Sequence, residues 1–196
     1  AAVRQIKKIH ESACLRKNIS MNLEIDDDIP VVCLDIVRFN QVINNLVTNA
    51  IKFTNEGSVT LRIKKENKTK ENLDLLTEII DTGIGISEDK QETIWKAFTQ
   101  ASTNTNRLYG GTGLGLPIVK SIIESMGSRV HMASKKDQGS HFYFRLNLKI
   151  ASDNEVLKTV RKKKYIFNQE KVLLVEDNLI NIMVAKQILE KVNLKV

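Results

Sequence analysis

Apolar residues recur with a helical period in three segments of the chain. In residues 2–17 they stand three or four positions apart, which predicts an amphipathic helix. Asp35 is a suitable N-cap for a longer helix that extends to about residue 53, and residues 117–126 show the same period. The basic side chains of the first helix that are expected in water are Lys7, Lys8 and Arg16 or Lys17.

Five other segments alternate between apolar and polar residues or are continuously apolar, and these predict strands. Residues 57–65 alternate, as expected for a strand with one solvated face. Residues 73–80 are apolar in both phases, which is typical of a central strand and places Asp81 at its buried end. The other predicted strands are residues 19–25, 129–134 and 140–148.

The long predicted helix carries a stripe of amide side chains beside its apolar face. Asn45 and Asn49 stand one turn apart, with Gln41 and Lys52 on the same edge. Asparagine is a weak helix former, and its amide oxygen is a hard ligand of the kind that Mg²⁺ accepts together with waters and phosphate oxygens. The stripe predicts a Mg²⁺-nucleotide site, with a solvated polar face as the alternative. The apolar face consists of Phe39, Val42, Ile43, Leu46, Val47, Ala50 and Phe53.

The central strand runs into a glycine-containing turn with the sequence DTGIGI. The buried Asp81 carboxylate can accept a hydrogen bond from the exocyclic amine of a purine. Gly83 and Gly85 allow a ring to lie against the backbone. The turn therefore predicts a purine pocket, and an ordinary capped turn is the alternative.

Four glycines in six residues stand before the third predicted helix, at positions 110, 111, 113 and 115. Glycine permits positive φ and leaves backbone N–H groups available to anionic oxygens. Pro117 is tolerated in a first helical turn, whose N–H groups favour anions. The pattern predicts a phosphate-binding loop, with a flexible surface loop as the alternative.

The stretch before this loop is expected to be a short helix followed by a lid. Ser87 is a predicted N-cap. Residues 99–109 are polar and small without any period, which is typical of a mobile lid. The apolar positions expected to dock the short helix on the core are Ile94, Trp95, Ala97 and Phe98.

Composition and charge narrow the class of protein. A chain of 196 residues with 42% hydrophobic residues suits one well-cored domain plus a further piece, and no apolar run is long enough to span a bilayer. The net charge of +7 is spread along the chain without stacking aromatics, which argues against nucleic-acid binding. Cys14 and Cys33 fit no metal or disulfide spacing and indicate a reduced, cytoplasmic protein.

The last part of the chain has a different character. Residues 150–169 are polar and basic and are interpreted as a linker. Residues 171–175 predict an apolar strand that ends in Glu176 and Asp177, and the apolar positions that follow predict a helix. Together they indicate the first β-α unit of a parallel sheet, with acids at the strand end where such folds place their sites.

Four stretches in order resemble one known domain: NLVTNAIKFT (45–54), DTGIGI (81–86), IWKAFTQ (94–100) and GGTGLGLPIVK (110–120). They are similar to the N, G1, F and G2 boxes of the catalytic ATP-binding domain of sensor histidine kinases. The resemblance implies the Bergerat or GHKL fold for residues 1–149, an α/β two-layer sandwich with a mixed five-stranded sheet and helices on one face. KVLLVEDN resembles the start of a response-regulator receiver domain, truncated here to residues 170–196 after a linker at 150–169.

The resemblance assigns roles to individual residues. Asn45 and Asn49 hold Mg²⁺ and phosphate oxygens, Lys52 lies near the phosphates, and Arg107 contacts the γ-phosphate. Asp81 recognises adenine. Glu176 and Asp177 are the remaining acid pair of a receiver metal site. The other residues implied to bind ATP are Phe53, Gly83, Gly85, Ile86, Phe98, Gly111, Thr112, Gly113, Leu114, Gly115 and Leu116.

The implied activity is that of a protein histidine kinase in a hybrid two-component phosphorelay. It uses ATP and Mg²⁺ and donates the γ-phosphoryl to a histidine on a separate dimerisation domain of a homodimeric parent, which passes it to a receiver domain or response regulator. His10, His131 and His141 are interpreted as ordinary residues of a helix and two strands. Any contact with a membrane is expected only through other parts of the parent.

Two other classes share this nucleotide fold. An ATPase clamp of the gyrase, Hsp90 and MutL kind hydrolyses ATP to close a dimer, and the receiver-like tail argues against it. A binding module that holds nucleotide without transferring phosphate has the same site residues. A histidine-bearing helix encoded upstream would distinguish the kinase from this module.

Overall fold

A computed structural model describes residues 2–97, 113–152 and 167–196. The chain divides into two compact units, Ala1–Ala151 and Ser152–Val196. The first unit contains the sheet and the four predicted boxes. Each unit is described by itself.

The first unit is built on a five-stranded sheet with the strand order β1-β2-β3-β5-β4. β1 is parallel to β2, and the other neighbours are antiparallel, so the predicted mixed sheet is confirmed. The central strand β3 places Asp81 opposite Val59 on one side and Ser140 on the other. The strands are β1 (Ser20–Ile25), β2 (Ser58–Lys68), β3 (Asn72–Asp81), β4 (Val130–Ser134) and β5 (Ser140–Lys149).

Helices pack against one face of this sheet. Asp35 caps the longest helix, because its Oδ1 accepts from the backbone N–H groups of Val37 and Arg38, each at 3.1 Å. Inward residues of the sheet, such as Phe144 and Leu61, join apolar side chains of the helices in a single buried cluster. The helices of this unit among its described residues are α1 (Ala2–Lys17), α2 (Ile36–Phe53), α3 (Glu88–Gln91), a 3₁₀ turn (Thr93–Trp95) and α4 (Gly115–Ser125).

Three sequence predictions about helices are corrected by the structure. The helical period of residues 2–17 counts Ile9 among its apolar positions, but Ile9 is 64% exposed and Cys14 is buried instead, because α1 turns its Ile6 and Cys14 side towards the core. Ala97 is exposed, while Ile94 is buried as predicted. The third helix begins at Gly115 rather than Pro117, because a proline is compatible with any position in the first turn.

The other face of the sheet carries a row of charged and aromatic side chains that crosses all five strands. Strand register aligns Glu24, Arg62, Glu78, Tyr143 and His131. Arg62 Nε lies 2.5 Å from Glu24 Oε2, and its Nη1 lies 3.6 Å from Glu78 Oε2. The rings of His131 and Tyr143 stack with centroids 5.2 Å apart. The two faces therefore differ as expected for a two-layer sandwich.

The second unit contains one described helix, α5 (Leu179–Lys191), as predicted. The strand predicted at residues 171–175 is wrong for this chain: Lys171 forms only an isolated parallel bridge with Lys195, and Leu173 and Val175 are 88% and 84% exposed. An apolar strand needs neighbouring strands to satisfy its backbone and bury its side chains, and the described residues 167–196 provide only the bridge at Lys195.

Within residues 2–97, 113–152 and 167–196, every helix is too short or too polar to cross a lipid bilayer.

Candidate functional site

Asn45 and Asn49 lie side by side on α2 at the point where α4 begins. Both side chains are half-buried. A methyl group built on Gly115, the first residue of α4, would lie 3.6 Å from Asn49 Nδ2 and 3.7 Å from Asn45 Oδ1. The fold therefore brings the amide stripe of α2 to the glycine that opens α4. These stretches are more than 60 residues apart in the chain.

The N-terminal end of α4 is rich in backbone donors. Gly113 has φ +69°, in the left-handed region, and Leu114 occupies the N-cap position with no side-chain hydrogen bond to the helix. The first N–H groups of a helix have no intrahelical acceptor and carry the positive end of the helix dipole. The half-buried Leu116 packs against the core and fixes the helix start. This end can bind an anion beside Asn45 and Asn49.

Lys52 and Phe53 form the last turn of α2. Lys52 Nζ lies 4.7 Å from the centroid of the Phe53 ring, and partial burial lowers the pKa of Lys52. A cation over an aromatic face is stabilised by the ring quadrupole. One helix turn therefore separates this ammonium from the Asn49 amide, on the same edge of α2.

Asp81 is a buried carboxylate at the end of β3, with 7% of its surface exposed. Its Oδ1 accepts from Gly83 N at 2.9 Å, and the backbone N–H and hydroxyl of Ser140 also donate to it. Burial raises the pKa of Asp81, because desolvation outweighs these three donors. Three fixed donors orient the carboxylate as an acceptor in a low-dielectric pocket.

The turn after Asp81 leaves no room for side chains at its two glycines. A Cβ on Gly83 would lie 2.3 Å from Phe53 O and 3.0 Å from Asp81 Oδ1. Gly85 has φ +61°, and a Cβ there would lie 2.0 Å from Lys135 O. Ile84 N donates to Phe53 O at 3.2 Å, so the turn is joined to the end of α2. The Asp81 turn and the amide-bearing helix are thus joined by a backbone hydrogen bond.

A hydrogen-bond network that the sequence analysis missed supports the turn from its other side. Ile86 N donates to Ser134 Oγ at 2.8 Å, and Ser134 Oγ lies 3.1 Å from Ser140 Oγ. Gln91 Nε2 donates to Ile86 O at 3.1 Å and to Ser134 O at 2.9 Å. Strand register alone places Ser140 opposite Asp81, so pairing the predicted strands would have identified Ser140. Gln91 gave no signal in the sequence.

Four predicted site residues lie outside the part of the chain that the structure describes: Phe98, Arg107, Gly111 and Thr112. The predicted lid at 99–109 lies there as well. The predicted residues that the structure does bring together are those of α2, the Asp81 turn and the start of α4.

Glu176 and Asp177 belong to the second unit and are both exposed. Glu176 Oε1 accepts from Asn178 N at 3.1 Å, and this bond, with further ones from Asn181 and Asp177, lowers the pKa of Glu176. Among the residues that the structure describes, no group of three or more histidine, cysteine or acidic side chains is arranged to hold a metal ion. The acid pair therefore lacks a third acidic ligand in the described regions.

Comparison with known protein families decides the classification. Residues 34–150 match the family described as histidine kinase-, DNA gyrase B-, and HSP90-like ATPase. The chain belongs to this family. The matched residues run from the segment before α2 to the end of β5 and contain every part of the site in the first unit.

The curated relatives are sensor kinases. The chain is 36% identical over 197 residues to the autoinducer 2 sensor kinase/phosphatase LuxQ of Vibrio vulnificus, covering 97% of this chain and 23% of that protein. It is 39% identical over 133 residues to the signal transduction histidine-protein kinase BarA of Escherichia coli, covering 67% of this chain and 14% of BarA. The chain thus spans about a quarter or less of the length of these relatives.

Solved structures show the same fold. The catalytic domain of histidine kinase ThkA is similar with a TM-score of 0.58 and 26% identity, covering 74% of this chain and 91% of that domain. Full-length ShkA in complex with AMPPNP has a TM-score of 0.67 at 24% identity, covering 99% of this chain and 38% of ShkA. Residues 34–150 are accordingly a catalytic ATP-binding domain of the sensor histidine kinase type.

Proposed function

We propose that this domain binds Mg-ATP between α2, the Asp81 turn and the start of α4. The observation that carries the proposal is the position of Gly115, where an added Cβ would lie 3.6 Å from Asn49 Nδ2 and 3.7 Å from Asn45 Oδ1. Phosphate oxygens at the α4 N-terminus would meet backbone N–H groups on one side and these amides on the other. Adenine would use the oriented Asp81 carboxylate as its acceptor.

The donor set fits Mg²⁺. Asn45 and Asn49 offer amide oxygens, which are neutral hard ligands, and the ion keeps waters and substrate phosphates as its other ligands. Bound there, the ion would neutralise charge on the phosphates during transfer. In this assignment Lys52 adds a positive charge on the same edge of α2, and Gly113 permits the backbone turn at the phosphates.

The proposed reaction is transfer of the γ-phosphoryl to a histidine on another domain of the parent. Relatives that span the chain are named as sensor kinases, and one structural neighbour was solved with AMPPNP, which support this activity. The chain's own residues bind and orient the donor and neutralise its charge. Arg107 is the proposed γ-phosphate contact, and Phe98, Gly111 and Thr112 the proposed lid contacts.

We further propose that residues 170–196 are the beginning of a receiver domain, joined by a linker at 150–169. The order of the apolar segment, the Glu176-Asp177 pair and α5 supports this, and so does the 97% coverage of the chain by its match to LuxQ. The exposed Leu173 and Val175 side chains are those that a parallel sheet would bury. The parent is proposed to be a homodimer.

Calorimetric titration with a non-hydrolysable Mg-ATP analogue tests the nucleotide site. Asp81→Asn should weaken binding roughly tenfold to a hundredfold, because the carboxylate acceptor for the adenine amine is lost. Asn49→Asp should change the dependence of affinity on Mg²⁺, because it adds a charge at the metal. Asn22→Asp, at an exposed position of the edge strand β1, is the control and should bind as wild type. Wild-type affinity in Asp81→Asn would refute the adenine assignment.

Phosphoryl transfer needs a separate assay. A histidine-bearing dimerisation domain from the parent, supplied in trans with labelled ATP, should acquire acid-labile label, limited by weak docking without covalent linkage. Tight nucleotide binding with no label on that domain would favour a binding module over a kinase.

A further inference from the structure

The C-terminal end of α2 is held by a side chain from another helix. The last carbonyl groups of any α-helix have no intrahelical donor. Here the Lys17 ammonium donates to Ile51 O at 2.7 Å, Lys52 O at 2.9 Å and Thr54 O at 2.8 Å. A single cation therefore binds three carbonyl oxygens around this terminus, those of Ile51, Lys52 and Thr54.

The remaining carbonyls of the last turn are also satisfied. Ala50 O accepts from the N–H of Thr54 at 3.0 Å and from its hydroxyl at 2.7 Å, where Thr54 is fully buried. Phe53 O accepts from Ile84 N in the Asp81 turn. Each of the last four carbonyls of α2 thus has a protein donor, and Lys17 supplies two of them.

Lys17 reaches this position because it lies on the side of α1 that faces α2. Ile6 and Cys14 on that side are buried, and His10 Nε2 lies 3.1 Å from Asn44 Oδ1 of α2. These positions follow one another at helical spacing, and Lys17 continues the series at the last residue of α1. Asn18 then reverses the chain at φ +54°. The sequence left open whether Arg16 or Lys17 lies in water, and the structure exposes Arg16 and directs Lys17 to α2.

We infer that Lys17 is a positioning residue for the nucleotide site, an inference that rests on the function proposed above. The helical turn that it holds presents Asn49 and Lys52 to the phosphates and Phe53 O to the Asp81 turn. A positive charge also complements the negative end of the α2 dipole. Removing the ammonium would leave two acceptors of the last turn unsatisfied and release the turn that links both halves of the site.

The test compares nucleotide affinity with stability in the whole chain. Lys17→Met keeps much of the stem and removes the donors, and Lys17→Gln keeps two N–H donors without the charge. We expect affinity for a Mg-ATP analogue to fall on the order of tenfold in Lys17→Met and by less in Lys17→Gln. Lys8→Met, at an exposed position of the same helix, is the matched control and should bind as wild type.

The Ile84 amide proton gives a readout that a purely structural role would not move. Its chemical shift in the nucleotide-free protein should change in both Lys17 variants and stay constant in Lys8→Met, because Ile84 N is bonded to Phe53 O. Wild-type affinity in the folded fraction of Lys17→Met, with an unchanged Ile84 shift, would overturn the inference. If Lys17→Met does not fold, Lys17→Gln decides by the same two measurements. A wild-type chain that binds no nucleotide would instead refute the proposed function, since no variant is involved.

Discussion

Asp81 is a residue at which function and stability oppose each other. The carboxylate is 7% exposed at the end of the central strand. The three hydrogen bonds that it accepts do not offset the loss of its hydration, so its pKa is raised. A charge kept in such a place is costly to folding. It is suited to accept a hydrogen bond from a ligand, because electrostatic attraction is stronger in a buried, low-dielectric environment.

The free-energy cost of burying the Asp81 carboxylate depends on pH. A carboxyl whose pKa is raised in the folded state binds its proton more tightly there, so stability falls as pH rises from the unfolded pKa towards the folded one. We expect the free energy of unfolding of wild type, minus that of Asp81→Asn, to decrease from about pH 4 upward. Denaturant titrations of both proteins at several pH values measure this difference. A difference that rises with pH would contradict the assigned burial cost.

The free energies of unfolding of wild type and Asp81→Asn must be subtracted, because other carboxylates change the stability with pH in the opposite direction. Hydrogen bonds from Asn147 and Asn67 lower the pKa of Asp74, and one from Arg62 lowers the pKa of Glu24. Such groups contribute stability above their unfolded pKa and lose it in acid. They are unchanged in Asp81→Asn and cancel in the comparison.

At the scale of elements, the turns that surround the site are defined by what they contact. Gly85 and Gly127 both have left-handed backbones, at φ +61° and +76°. A Cβ at Gly85 would lie 2.0 Å from Lys135 O, whereas a Cβ at Gly127 would meet no atom within 4 Å. Comparing the same substitution at Gly85 and at Gly127 therefore separates the free-energy cost of backbone strain from that of a steric clash.

Gly127→Ala should cost about 1–2 kcal/mol, the penalty for a left-handed alanine. Gly85→Ala should cost about 1–3 kcal/mol more, because Lys135 O must also move. Gly85→Ala should in addition weaken nucleotide binding, since Gly85 lies in the Asp81 turn. Denaturant unfolding and calorimetric titration of the two variants provide the comparison. An equal loss of unfolding free energy in both variants would mean that the Lys135 carbonyl moves aside at no measurable cost.

The elements of the first unit could be predicted because their periods are unambiguous. The strict alternation of residues 57–65 and the apolar run before Asp81 each admit one interpretation, and β2 and β3 follow them closely. The predicted start of α4, Pro117, was two residues too late, because proline is compatible with several first-turn positions. Residues 171–175 have the composition of a strand but pair with the described chain only through a bridge at Lys171, and sequence periodicity does not report whether a partner strand is present.

Candidate site residues could be predicted from the sequence where the chemical group of the side chain suggests the role. They could not be predicted where the role depends on a contact that only the fold creates. Asn45, Asn49 and Asp81 are predicted site residues because two amides share a helix edge and an acid follows an apolar strand, and their binding roles stay a prediction. The long, flexible side chain of Lys17 donates to backbone carbonyls that are 34 or more residues away in the chain. The side chain of Gln91 donates to the backbone carbonyl of Ser134, in the hairpin that follows later in the chain. Backbone acceptors have no sequence signature, so only the fold reveals such residues.

At the scale of the whole chain, the second unit lacks a core of its own in its described residues. Leu173 and Val175 are exposed, and on α5 so are Met183, Val184 and Ile188, at 53–64%. Burying so little apolar surface does not offset the entropy of ordering. We expect the amides of residues 173–175 to exchange with solvent rapidly, while those of β3 exchange slowly. Hydrogen exchange followed by NMR on the monomer measures both, and slow exchange at 173–175 would show an independently stable unit.

The placement of the histidines leads to the last prediction, that this chain binds the phosphoryl donor without phosphorylating itself. Transfer needs a nucleophilic nitrogen in line with the γ-phosphate. His10 is half-buried on α1 against Asn44, and His131 and His141 lie on the outer face of the sheet, where His141 Nε2 is 2.8 Å from Glu78 Oε1.

None of these three side chains belongs to α2, the Asp81 turn or the start of α4, so none is placed to receive the phosphoryl group. Incubation with γ-labelled ATP, followed by acid or alkali, should leave no acid-labile, alkali-stable label on the chain, because phosphohistidine has that stability pattern. The His10→Ala variant is the matched control. Acid-labile label on wild type that disappears in His10→Ala would show that α1 leaves its contact with Asn44 and delivers a phosphoacceptor to the site.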